Sequence, residues 1–130
     1  MTAVEKEEQI KALAQTLKPL GFKKRNATWH RETADTIQAV NVQGSQWGSE
    51  YYLNVGTYIR ALGEELTPPE YRCHIRSRIH PSDISAETLT KECLAWFEQF
   101  GTVPSLVAHF KNGSLPITTT GAARDWLGAA

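Results

Sequence analysis

Cysteine is scarce in this sequence: Cys73 and Cys93 are the only two, and neither stands in a CxxC spacing. A disulfide framework or a thiolate zinc site is therefore not expected, and a reduced, cytoplasmic setting is the simpler reading. No apolar run approaches the roughly 18 residues of a membrane span. The opening MTAVEKEEQIK lacks the apolar stretch of a secretory signal. Net charge is also missing, because fourteen Lys and Arg balance fourteen Asp and Glu. That balance removes a global field that would draw in DNA or an anionic membrane. Nucleophile-elbow, P-loop and dinucleotide-fold glycine motifs are absent. The four histidines, His30, His74, His80 and His109, show neither HxH nor HExxH spacing. No cofactor and no metal is expected.

What remains is an ordinary composition, 41% hydrophobic and 22% charged over 130 residues, which suits a single domain with one core. The periodicity changes twice. Ile10, Leu13, Ala14 and Leu17 follow helical spacing, with Thr2 as a candidate cap and Pro19-Leu20-Gly21 as the stop. Residues 22–80 then read as strands: a hairpin turning at Asn26-Ala27, the β-branched run Thr36–Gln43, and Glu50–Ala61. Gly44–Ser49 is a loop carrying Trp47. Tyr71–His80 alternates strictly and is expected to be the fifth strand. After Pro81 the helical period returns in Leu89, Cys93, Trp96, Phe97 and Phe100, with Ser82 or Ser85 as its cap. A shorter helix follows through Phe110, then one capped by Thr120 and ending at Trp126-Leu127. The expected fold is α+β: an N-terminal helix, an antiparallel meander of about five strands, and two or three C-terminal helices in a two-layer arrangement.

The alternation at 71–80 carries the functional expectation. One side of that strand would present Tyr71, Cys73, Ile75, Ser77 and Ile79, and the other Arg72, His74, Arg76, Arg78 and His80. Arginine is seldom buried without a partner. The second face should therefore be open or meet another molecule, unless it is merely solvated and paired with Glu64, Glu65 or Glu70. If Glu50–Ala61 is the neighbouring strand, Tyr52, Asn54, Tyr58 and Arg60 join the same surface, with Arg31 or His30 extending it and Trp47 at the loop rim. Tyr and Arg are enriched in binding hot spots. Enzymatic readings have less behind them, because neighbours on a strand point oppositely and so Cys73 and His74 cannot pair.

The words Leu17-Lys18-Pro19-Leu20-Gly21-Phe22-Lys23-Lys24, then Trp29-His30-Arg31, then YYLNVGTYIRAL and YRCHIRSRI, resemble a bacterial family of domains of unknown function over roughly residues 10–80. The resemblance implies a cytoplasmic bacterial domain and carries over no catalytic residue. The expected function is a non-enzymatic macromolecule-binding module, in leading form an immunity-type inhibitor that neutralises a bacterial toxin or effector by protein–protein contact. Single-stranded nucleic-acid binding on the same face is the alternative. A small hydrolase or transferase using His30, His74 and Glu32 is a third reading.

Overall fold

The structure is a computed structural model that describes residues 3–25, 28–44, 51–80 and 85–130. The Asn26-Ala27 turn, the loop holding Trp47, and the candidate caps Thr2 and Ser82 lie outside the described residues.

Helix α1 spans Ala3–Leu17. A 3₁₀ turn at Lys18–Leu20 ends it, and Gly21 closes that turn at φ 95°, a left-handed conformation open to glycine at no steric cost. Five strands follow: β1 (Lys23–Arg25), β2 (Thr28–Glu32), β3 (Thr36–Gly44), β4 (Tyr51–Ile59) and β5 (Ile75–Ile79). They pair in sequence order and every pairing is antiparallel, so the sheet is the expected meander. Helices α2 (Ala86–Phe100), α3 (Val103–Lys111) and α4 (Gly121–Ala129) complete the chain. The Ser85 hydroxyl accepts the Thr88 N–H at the start of α2, and Thr120 accepts the Ala123 N–H at the start of α4.

All four helices lie on one face of the sheet. Leu13, Leu17, Leu89, Cys93, Phe97, Leu106 and Leu127 pack against Trp29, Val40, Leu53, Val55, Ile59 and Ile75, with Phe22 closing one end. Three polar side chains on this same face, Thr36, Gln38 and Thr57, are also buried. Their partners are the last carbonyls of α2, which the helix itself leaves unbonded. Thr57 donates to Phe100 O at 2.8 Å, while Thr36 and Gln38 donate to Gly101 O at 2.6 and 3.1 Å. The sheet thus caps the C-terminus of the helix lying across it.

The other face differs from the expectation in two ways. Strand β5 begins at Ile75, not Tyr71, and Glu70–Arg72 forms a 3₁₀ turn instead. The turn is closed by Arg72 N–H to Pro69 O and Cys73 N–H to Glu70 O, each 3.0 Å. Strand β4 ends at Ile59, so it offers Tyr71 and Arg72 no partner strand; its pairing with β5 starts at Thr57↔Ile75. The alternation of residues 71–74 is therefore coincidental with, and not caused by, a strand. Secondly, the chain from Arg60 to Cys73 crosses the middle of this face and covers it. Cys73 joins Ile37, Ala39 and Tyr58 in a second small cluster there, on the side opposite to that expected for it. Tyr58 is consequently buried, at 4% exposure. Arg60 leaves the strand in a 3₁₀ turn, and its guanidinium donates to Thr33 O at the β2–β3 turn.

Candidate functional site

The site is assembled by register. Cross-strand partners share a face, and on the face away from the helices Asn41, Asn54 and Arg78 form one row and Ala39, Gly56 and Arg76 the next. In the first row Arg78 Nε donates to Asn54 Oδ1 at 3.2 Å and Nη2 donates to Gln43 Oε1 at 3.4 Å. Asn54 in turn donates to Asn41 Oδ1 and Gln43 Oε1. The Arg78 guanidinium lies 4.8 Å from the centre of the Tyr52 ring, and that ring meets His80 edge-on. Asn54, Gln43 and the Tyr52 ring are neutral, so among the described residues the exposed charge of Arg78 is oriented but not cancelled.

The other two arginines are paired. Arg76 Nε donates to Glu70 Oε1 at 3.1 Å, and the Glu70 side chain is only 10% exposed. This bridge holds the crossing segment down onto β5. Arg72 Nη1 meets Glu65 Oε1 at 2.8 Å, with Arg72 exposed and Glu65 partly so, a contact worth at most about 1 kcal/mol.

His74 stands just before β5, its ring tilted against Tyr58 at 4.6 Å between centres. The Ile59 backbone N–H points at its Nδ1 from 2.9 Å. A backbone N–H can only donate, so Nδ1 carries no proton and the neutral ring bears its hydrogen on Nε2. Desolvation lowers the His74 pKa below its ordinary value, with Glu65 pulling weakly the other way. A histidine with a lowered folded-state pKa adds stability that is complete above the unfolded value of about 6.5 and disappears as pH falls through the folded value. Acidification below about pH 6.5 should thus weaken the fold at this point. Denaturation midpoints across that range should slope less in a His74→Asn variant, whose amide oxygen can still accept from Ile59. An imidazole resonance titrating at or above the ordinary value would contradict this arrangement.

Tyr58, Glu65, Tyr71, Arg72, Cys73, His74 and Arg76 line one side of a cleft of about 690 Å³, and Ile117–Thr120 form its other wall. That wall is pinned to β5 by Arg76 N–H to Thr118 O and Thr120 N–H to His74 O, both 2.9 Å. Tyr71 (64% exposed) and Ile117 (98%) stand at its rim. Smaller recesses continue over Asn54, Glu70, Arg76 and Arg78.

Of the residues singled out in the sequence, Arg72, His74, Arg76 and Tyr58 thus line the cleft. Arg78 and Tyr52 lie beside it, Arg60 is turned elsewhere, and Trp47 is outside the described residues. Tyr71 and Ile117–Thr120 were not anticipated. Strict alternation sets Tyr71 on the side of Cys73 and Ile75, away from the arginines, and 114–119 lies between the two last expected helices. The one available signal was the short apolar run Leu115-Pro116-Ile117 between polar neighbours.

The third reading, with His30, His74 and Glu32 acting together, finds no geometric support. His30 in β2 is three strand steps from β5, about 14 Å at the usual spacing. His30 is itself buried, donating from Nε2 to Pro68 O at 2.6 Å, whereas Glu32 is exposed. Burial raises the pKa of both thiols, that of Cys93 to about 12, which leaves them protonated and poor nucleophiles. Among the described residues no three His, Cys, Asp or Glu side chains gather closely enough to hold a metal ion, and no helix is long and apolar enough to cross a membrane.

Comparison with curated proteins and with solved structures returned no match. A family model described as Domain of unknown function (DUF4304) matches residues 13–99, from the second half of α1 to the end of α2. The match takes in the arginines, His74 and the segment that crosses the sheet, and stops short of the wall at Ile117–Thr120. With more than half of its length matched, the chain belongs to the DUF4304 family of domains of unknown function.

Proposed function

We propose that this chain is a non-enzymatic binding module that engages another protein through the β4–β5 face, in the manner of an immunity-type inhibitor neutralising a bacterial toxin or effector. One observation carries the reading: arginine and aromatic side chains converge beside a cleft, and among the described residues Arg78 is held in place by neutral groups alone. An oriented, uncancelled guanidinium next to exposed Tyr71 has the composition of a binding hot spot. Complementarity to an acidic patch would steer the encounter and fix its orientation. A bacterial, cytoplasmic setting belongs to the same reading, supported by two buried, unpaired cysteines.

The test must avoid Arg76, because reversing its charge would set two carboxylates together at buried Glu70 and disturb folding. Arg72 and Arg78 are exposed and free of that role. The wild-type chain should co-purify with the product of an adjacent gene. The Arg72→Glu/Arg78→Glu variant should lose that complex while keeping its melting temperature. A complex that survives the double substitution would eliminate this face. Tight binding of a single-stranded oligonucleotide that weakens steeply with salt would put nucleic acid in the protein's place.

A further inference from the structure

We infer that the cleft between Tyr71 and Ile117 receives an extended acidic segment of the partner, with a carboxylate against Arg72, Arg76 and His74 and the adjoining apolar side chain between the two rim residues. The inference rests on the binding reading above and specifies its occupant.

The donors come first. Arg76 engages Glu70 through Nε, and Arg72 engages Glu65 through Nη1. Among the described residues the other guanidinium nitrogens of both have no hydrogen-bond partner. His74 adds a third donor. Its Nδ1 is occupied by Ile59, which fixes the hydrogen on Nε2, and that atom too has no partner among the described residues. Three N–H-bearing side chains thus line one cleft with donor capacity to spare.

Charge decides which anion suits them. Arg72 and Arg76 are offset by Glu65 within the cleft and by Glu70 behind it. The cleft therefore offers oriented hydrogen bonds, not a net positive field. A polyphosphate backbone depends on the field. A single carboxylate is satisfied by two or three well-placed N–H groups.

The rim supplies the second element. Among the described residues the exposed large hydrophobics are Leu20, Leu66, Tyr71 and Ile117, and two of these four border this one cleft. Isolated exposed apolar residues need no explanation. Two that flank a set of carboxylate donors fit a chain in which an acidic and an apolar side chain are close neighbours. The Ile117 wall lies beyond the family-matched residues 13–99, so the donors belong to the matched part and the apolar wall to the rest of this chain.

The experiment is a titration of the isotope-labelled full chain, followed by NMR, with a capped peptide of alternating glutamate and leucine. A glutamine–leucine peptide and a short oligo-dT serve as comparisons. The acidic peptide should shift the amides of 71–76 and 117–120 saturably, and the glutamine peptide should bind about tenfold more weakly. Arg72→Gln and Ile117→Asp should each weaken the acidic peptide about fivefold or more, with unchanged melting temperature. Equal affinity for the two peptides, shifts confined to other surfaces, tighter oligo-dT binding, or no saturable shift up to about 1 mM peptide would each overturn the inference. If those results coincide with a partner complex that is still lost in the Arg72→Glu/Arg78→Glu variant, the broader binding reading stands and only the cleft's occupant is wrong.

Discussion

Trp29→Ala is expected to remove about 3–5 kcal/mol of stability, a large share of the roughly 5–15 kcal/mol that a domain possesses. Trp29 is 1% exposed and sits in β2, next to the edge strand, on the face covered by the helices. Nothing nearby is positioned to refill the space of an indole, since α1, α2 and the sheet all converge on the same core. The substitution should leave the chain largely unfolded at modest denaturant concentrations. Trp29→Phe should behave differently. The indole Nε1 is buried with no hydrogen-bond partner among the described residues. Phenylalanine abolishes that unmet donor while retaining most of the apolar contact, so its cost should stay well under half that of alanine. Equilibrium denaturation of the two variants side by side checks the pair. A Trp29→Phe variant as damaged as Trp29→Ala would show that the indole nitrogen is satisfied after all.

Gly56→Ala is expected to cost about 1–3 kcal/mol and to disturb the cleft at the same time. A Cβ at position 56 would come within 2.6 Å of Cys73 Cβ and 2.9 Å of its Sγ. The bare backbone of β4 is what allows Cys73 to lie flat on the sheet. An added methyl group must lift Cys73, and with it the turn that carries Glu70, Tyr71 and Arg72. Stability and peptide binding should fall together in this variant, whereas Trp29→Phe should alter stability alone. The nearest clash is with a Cβ, so Cys73→Ala should give no relief and Cys73→Gly should restore part of the loss. A double-mutant cycle on melting temperature reads this coupling directly. Additive effects of Gly56→Ala and Cys73→Gly would show that the two residues do not compete for space.

The contrast between these two glycine-and-aromatic positions shows where the sequence is readable. Trp29, Val40, Val55 and the α2 stripe recur at strand or helix spacing, and the face they define follows from the period alone. The helix stop at Pro19–Gly21 and the caps Ser85 and Thr120 have local chemistry that names them. The meander follows from short connections. The crossing segment has no such signature. Tyr71-Arg72-Cys73-His74 alternates as well as Ile75–Ile79 does, and nothing in that alternation marks Ile75 as the place where pairing with β4 begins. That Glu70 would meet Arg76, that Gly56 would admit Cys73, and that Tyr58 would be covered are tertiary facts between residues six to seventeen positions apart. Arg76 and Arg78 do lie on the side of the sheet away from the helices, whereas Arg72 sits in the 3₁₀ turn, and Arg76 is a brace for the crossing segment and not a free docking group. The cleft itself was hidden, because its outer wall comes from a stretch whose composition reads as a connector.

That stretch has one more effect. Thr118–Thr120 lies alongside β5 where a sixth strand would otherwise hydrogen-bond, and it consumes the outward N–H of Arg76 and the outward carbonyl of His74. At the opposite margin β1 carries Lys23, Lys24 and Arg25, all exposed, whose mutual repulsion discourages stacking by another copy. One border of the sheet is thus closed at its start by the chain's own backbone, and the other is guarded by charge. The protein limits its own tendency to polymerise through strand addition with the same few threonines that give its recess a far bank.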